Sequence, residues 1–136
     1  MSAYSLDTDI ITKLLKKHPG NQPVVDRFRE EIRRNSLFLI CPVVYYEIRR
    51  ELLFKDAAVQ LAAFEKLVEA MEWKEFSAPI WHRASRLWST LRAQGRSHHD
   101  ADVLIASHAL EYGAVLVTEN VGHFQDIGVQ IQKWST

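Results

Sequence analysis

Short apolar runs, each followed by a stretch of helical periodicity, constrain this chain more than any other feature. Residues 3–6, 37–41 and 114–118 (AVLVT) are apolar over four or five positions, a length that suits strands better than helices. Between them the apolar positions recur every three or four residues. Ile10, Ile11, Leu14 and Leu15 form one stripe, Leu61, Phe64, Leu67, Val68 and Met71 a second, and Ile80, Ala84, Leu87, Trp88 and Leu91 a third. Thr8 or Asp9 is predicted to cap the first helix, and a turn at HPGNQP (18–23) to separate it from a helix over 23–34. Pro42 opens a helix to about Phe54, Asp56 is predicted to cap the next, and Pro79 opens another that Gly95 stops. A helix over 100–112 ends at Gly113. Residues 72–76 and 129–134 supply two further strands, the last alternating as an edge strand does. Strands that alternate with helices predict a parallel sheet with helices on both faces. The pattern leaves the strand order open.

A chain of 136 residues suits one compact domain over 1–136. Lys+Arg and Asp+Glu are 17 each, so a polycation is excluded and any contact with nucleic acid must use a local patch. The single cysteine, Cys41, excludes an internal disulfide and a cysteine-based zinc cage. Asp7 and Asp9 stand where a signal peptide needs an apolar run, and no stretch approaches a membrane span. A cytoplasmic protein with no membrane partner is expected.

The acids carry the chemistry. In an open parallel sheet, strand C-termini and helix N-termini share one edge, where ligands bind. Asp7 follows the first strand, Glu47 lies early in the helix after the second, Asp102 is in the first turn of the helix before AVLVT, and Asn120 lies just beyond that strand. Clustered carboxylates repel and call for a compensating charge. Oxygen donors without cysteine favour Mg²⁺ or Mn²⁺ over zinc, and such an ion can activate water and offset charge building on a phosphodiester. Each residue also has a plainer reading. An Asp near a helix start can simply cap it, Glu47 can pair with Arg50, and Asn120 can serve a turn.

At LDTDIITKLL (6–15), CPVVYYEIRREL (41–52), DADVLIASHALEYGAVLVTEN (100–120) and the closing HF…GVQIQKW (123–134), the sequence resembles the PIN-domain family, and within it VapC-type toxin ribonucleases. The resemblance implies an α/β fold: a PIN-like three-layer α/β/α sandwich with a central, mostly parallel sheet of about five strands. It implies a metal-dependent endoribonuclease that hydrolyses RNA phosphodiester bonds, uses Mg²⁺ (or Mn²⁺), acts as the toxin of a toxin–antitoxin pair and is neutralised by a cognate antitoxin. A homodimer is implied as well. Carried over by position, Asp7, Glu47 and Asp102 are the catalytic and metal-holding acids. Where the fuller pattern has Asp two residues after the threonine, this chain has Asn120 after Thr118 and Glu119. A neutral amide is a poorer metal ligand, which speaks against a firmly held second metal. Asp9 is expected to tie the first helix to the loop near Thr118.

Ten arginines, four of them on one predicted helix (Arg27, Arg29, Arg33, Arg34) and four along another and its end (Arg83, Arg86, Arg92, Arg96), offer backbone contacts for RNA. Arg49, Arg50, His98 and His99 lie beside the predicted site. The plainer reading is a solvated face balanced by Glu30, Glu31 and Glu51. Trp81, Trp88, Phe54 and Phe64 are candidates for antitoxin or dimer surfaces, although helical spacing puts most of them in the core. Two rival functions remain: a non-catalytic PIN-like module that binds RNA or protein, and a His/Asp metal phosphohydrolase built on His98, His99, Asp100, Asp102 and His108. A DNA-cleaving nuclease would share the same metal chemistry.

Overall fold

The computed structural model describes residues 2–135. Among them the chain forms β1 (Ala3–Leu6), α1 (Thr8–Leu15), a 3-10 turn (Pro19–Asn21), α2 (Gln22–Arg33), β2 (Leu37–Ile40), α3 (Pro42–Phe54) and α4 (Ala58–Glu69). It continues through β3 (Glu72–Trp73), α5 (Ala78–Ala93), α6 (Asp100–Glu111), β4 (Val115–Val117), α7 (Val121–Phe124) and β5 (Ile131–Gln132). All five strands are parallel, in the order β3-β2-β1-β4-β5. The chain steps outward from β1 to β2 to β3, then crosses back to β4 and outward again to β5. Connections therefore leave β1 and β4 in opposite directions, which opens a crevice beyond their C-terminal ends.

The inner strands are buried on both faces, as a sheet sandwiched between helices requires. In β2, Phe38, Leu39 and Ile40 are successive buried residues, and Leu116 and Val117 of β4 are sealed from solvent. At one end Tyr4, Phe28, Phe38 and Trp134 pack ring to ring, with Phe28 and Phe38 centroids 4.8 Å apart. Beside that cluster Glu31 is buried, not part of a solvated face. Its carboxylate accepts from Arg27 at 3.1 Å and from the Ser36 hydroxyl at 2.8 Å. Those donors outweigh burial and hold its pKa below the usual value.

Three expectations change. The strand predicted at 72–76 pairs only at Glu72 and Trp73. The next two carbonyls are taken by α6: His108 Nε2 reaches Lys74 O at 2.7 Å, and the Tyr112 hydroxyl donates to Glu75 O at 2.7 Å. The strand predicted at 129–134 likewise pairs only at Ile131 and Gln132, because Trp134 turns in against Tyr4 and Phe38. Asp56 closes α3 and does not cap α4. It adopts φ 52°, and the N–H groups of Asp56 and Ala57 donate to Leu53 O and Leu52 O, a Schellman closure. Gly113 ends α6 the same way at φ 63°, and the Ala114 N–H that completes the motif leads straight into β4.

Of the four aromatics singled out, Phe64 alone is core. Phe54 is 88% exposed, Trp81 50% and Trp88 41%. Among the described residues no helix is long and apolar enough to cross a membrane.

Candidate active site

The crevice is built outward from the end of β1. The Asp7 N–H extends the ladder by donating to Val117 O at 2.9 Å, and its carbonyl accepts from Ile10 and Ile11. Asp7, and not Thr8 or Asp9, is thus the N-cap of α1. Its carboxylate accepts from the Thr8 N–H at Oδ1 and from the Thr118 hydroxyl at Oδ2, both at 2.8 Å. Thr118 follows β4, so this one contact stitches the two central strands together at the edge. Burial, followed by the like charge of Asp9 and finally that of Asp102, pushes Asp7 up to about 6 against those hydrogen bonds.

Asp9 reaches across the crevice. Its Oδ2 accepts from the Glu119 N–H at 3.0 Å and from Asn120 Nδ2 at 3.2 Å, while Oδ1 is buried without a hydrogen-bond partner. Burial raises this carboxyl too. Asn120 is held at a second point, its N–H donating to Thr118 Oγ1 at 3.0 Å. Glu47 projects from α3 and accepts from the Thr8 hydroxyl at 2.9 Å. Asp102, on the first turn of α6, lies 3.3 Å from His123 Nδ1 on α7.

Asp7, Asp9, Glu47, Asp102 and Asn120 line one cleft of about 330 Å³, together with His99 and His123. A second cleft of about 360 Å³ continues from it past His98 and Arg96, sharing His99, Asp102 and His123. The structure separates the other named residues from this centre. Arg49 turns to α4, where it meets Glu65 at 2.6 Å. Arg50 stacks on Tyr46 and lines a neighbouring groove that begins at Thr8 and Glu47. His108 is fully buried against Phe76 and Tyr112, and burial keeps its pKa low. His108 is thus apart from His98, His99 and Asp102, and among the described residues no three such side chains form a metal-holding group; the His/Asp phosphohydrolases are all-helical, so the α/β fold removes that reading.

Two residues were not singled out in the sequence as part of the site. Thr8 orients Glu47 through a contact 39 residues apart in the chain. His123 is placed by the fully buried Phe124 beside it. A histidine directly before an apolar anchor was the available signal.

The donor set fits a hard divalent cation: carboxylate and amide oxygens, one buried carboxylate under like charge from two others, and one buried acceptor without a donor. Among the described residues no three acidic, histidine or cysteine side chains close into a ready cage. Water would have to complete the coordination sphere of a divalent cation held there.

Comparison with known proteins agrees with this architecture. A family model for the PIN domain matches residues 4–129. Ribonuclease VapC1 from Haemophilus influenzae (strain R2866) is 31% identical over 134 residues, covering 97% of this chain and 98% of that protein. The crystal structure of VapBC2 from Rickettsia felis, bound to a DNA fragment from its promoter, superimposes with a TM-score of 0.86 at 25% identity, covering 98% of this chain and 99% of that one. VapBC-1 from nontypeable Haemophilus influenzae gives 0.79 at 29% identity, over 97% and 98%.

Proposed function

The chain belongs to the PIN domain family, and from that premise we propose that it is a metal-dependent endoribonuclease, the toxin of a toxin–antitoxin pair, restrained by a cognate antitoxin. The ribonuclease named among its relatives and the VapBC complexes among its structural neighbours support the reading. The observation that carries it is the convergence of Asp7, Glu47, Asp102 and Asn120, from four separate stretches, on one cleft at the topological switch point. Residues 1–136 act as a single PIN-like domain, in the cytoplasm, where its RNA is.

Asp7, Glu47 and Asp102 hold Mg²⁺ (or Mn²⁺). Bound there, such an ion supplies a nucleophilic water and offsets charge on the phosphoryl oxygens. The remaining work belongs to the chain. Thr118 and Thr8 fix the Asp7 and Glu47 carboxylates, and Asp9 fastens the 119–120 loop so that the cleft keeps its width. The Asn120 amide is spent on Asp9 and brings no acid of its own, which speaks against a firmly held second metal. The RNA strand leaves through the adjoining cleft, past His99 and His98, with Arg50 in the groove that begins at Thr8 and Glu47. The groove beginning at Thr8 and Glu47, beside exposed Tyr46, Leu53 and Phe54, suits an antitoxin segment. The exposed Trp81 and Trp88 of α5 suit a second copy of the chain.

The test is cleavage of total cellular RNA by the purified, antitoxin-free protein with Mg²⁺, Mn²⁺ or EDTA. Discrete bands that require the metal and disappear in Asp7→Asn and Asp102→Asn are expected. Cleavage that survives EDTA, or persists in either variant, overturns the assignment. A folded, metal-loaded protein that cuts nothing favours the non-catalytic module.

A further inference from the structure

Each of the three acids assigned above is met by a donor from another part of the chain. Asp7 has the Thr118 hydroxyl and Glu47 has the Thr8 hydroxyl. Asp102 has one side-chain contact of this kind among the described residues, the His123 ring. We propose that His123 is a positioning residue, which uses Nδ1–H to hold one oxygen of Asp102 and so aims the carboxylate at the metal position; the proposal rests on the function assigned above.

The geometry supports this role. An ionised carboxylate only accepts hydrogen bonds, so the nitrogen facing Asp102 must carry the proton, which fixes the ring tautomer. At 3.3 Å the contact lies just beyond the usual N–H···O range, and the proposed role requires it to shorten when the site is loaded. The ring is aimed by its backbone. α7 is a single turn in which the His123 N–H donates to Asn120 O, and Phe124 is fully buried beneath it. The anchor at Phe124 and the pinned Asn120 fix the two ends of the turn that carries His123. Asp102, by contrast, sits in the first turn of α6, and among the described residues no other side-chain partner steers it. Donors of this kind behind a metal-holding carboxylate are worth roughly 10- to 100-fold in affinity. His123 also stands where the two clefts meet, so a misaimed Asp102 would disturb the cation and the strand path together.

Calorimetric Mn²⁺ titration of the antitoxin-free protein, without RNA, tests the role apart from turnover. His123→Ala should bind Mn²⁺ about 10-fold or more weakly than wild type, with an unchanged melting temperature. His123→Asn, whose amide N–H can stand in for Nδ1–H, should recover most of the loss, and His123→Gln should recover less. In an Asp102→Asn background His123→Ala should cost nothing further. Wild-type affinity in His123→Ala, or an Asn variant no better than Ala, overturns the proposal. If Asp7→Asn still abolishes Mn²⁺ binding in that case, the functional reading stands without it. A wild-type protein that binds no Mn²⁺ overturns both.

Discussion

At the scale of single residues, Asp7 sets fold and function against each other. Its carboxylate is 6% exposed, and burial with two acidic neighbours raises it to about 6. A raised carboxyl pKa means that the folded state holds the proton more tightly than the unfolded chain. The associated stabilisation is full below about pH 4 and lost as pH rises through about 6. In metal-free protein at pH 7.5 the ionised group therefore costs the fold on the order of 3 kcal/mol. We expect Asp7→Asn to resist urea better than wild type at pH 7.5 in EDTA by roughly 1–2 kcal/mol, and the gap to close near pH 4. A gap independent of pH would contradict the account. Added Mn²⁺ should raise the melting temperature of wild type and leave the variant unmoved. Asp9 gives a second expectation. Asp9→Ala removes the acceptor for Glu119 N–H and Asn120 Nδ2, so amide exchange should accelerate in residues 118–123 with the sheet core unaffected. The placement of Asp7, Glu47, Asp102 and Asn120 at one edge was legible in the sequence, because strand ends and helix starts fix it. The donors behind them were not. Thr8 meets Glu47 only because α1 packs on α3, and no local pattern encodes that packing.

Among the elements, helices were easier to read than strands, and the reason lies in where their hydrogen bonds go. A helix satisfies its own backbone, so its periodicity and its end signals suffice. The end of a strand depends on what else competes for its carbonyls, as His108 and Tyr112 do for those after β3. Asp56 shows a limit on the helix side. An Asp before an apolar stripe reads as an N-cap, yet the αL position that ends α3 claims it first. Left-handed backbone costs an ordinary residue about 1–2 kcal/mol, less for Asp, and nothing of the kind for Gly. Asp56→Gly should therefore match or exceed wild type in urea titration, while Asp56→Val should lose about 1–2 kcal/mol. Equal losses in the two variants would show that the Asp56 side chain, not its backbone angle, matters at this corner.

Across the whole molecule, the parallel sheet follows from alternation, whereas its order does not. The right-handed rule fixes the hand of each crossover but not whether the chain moves outward or back, and the return from β3 to β4 creates the crevice. Charge was ambiguous at this scale for a similar reason: ten arginines in a neutral chain make either a patch or a set of pairs. The structure pairs half of them. Arg27, Arg34, Arg49, Arg83 and Arg96 lie 2.6–3.4 Å from carboxylates, spread over several faces. On the proposed path an RNA strand would meet His99 and His98, with Arg50 in the neighbouring groove, instead of a broad cationic surface. If two or three phosphates are neutralised, log K against log salt should fall with a slope of about −2, since each phosphate on a single strand contributes about −0.7. Fluorescence titration of a short single-stranded RNA with Asp7→Asn, which binds without cutting, gives that slope between low and physiological salt. A slope near −4 or steeper would bring the arginines of α2 and α5 onto the RNA, and Arg83→Ala and Arg34→Ala would then each flatten it. With the shallow slope, neither substitution should change it, because affinity comes from the crevice and not from the surface around it.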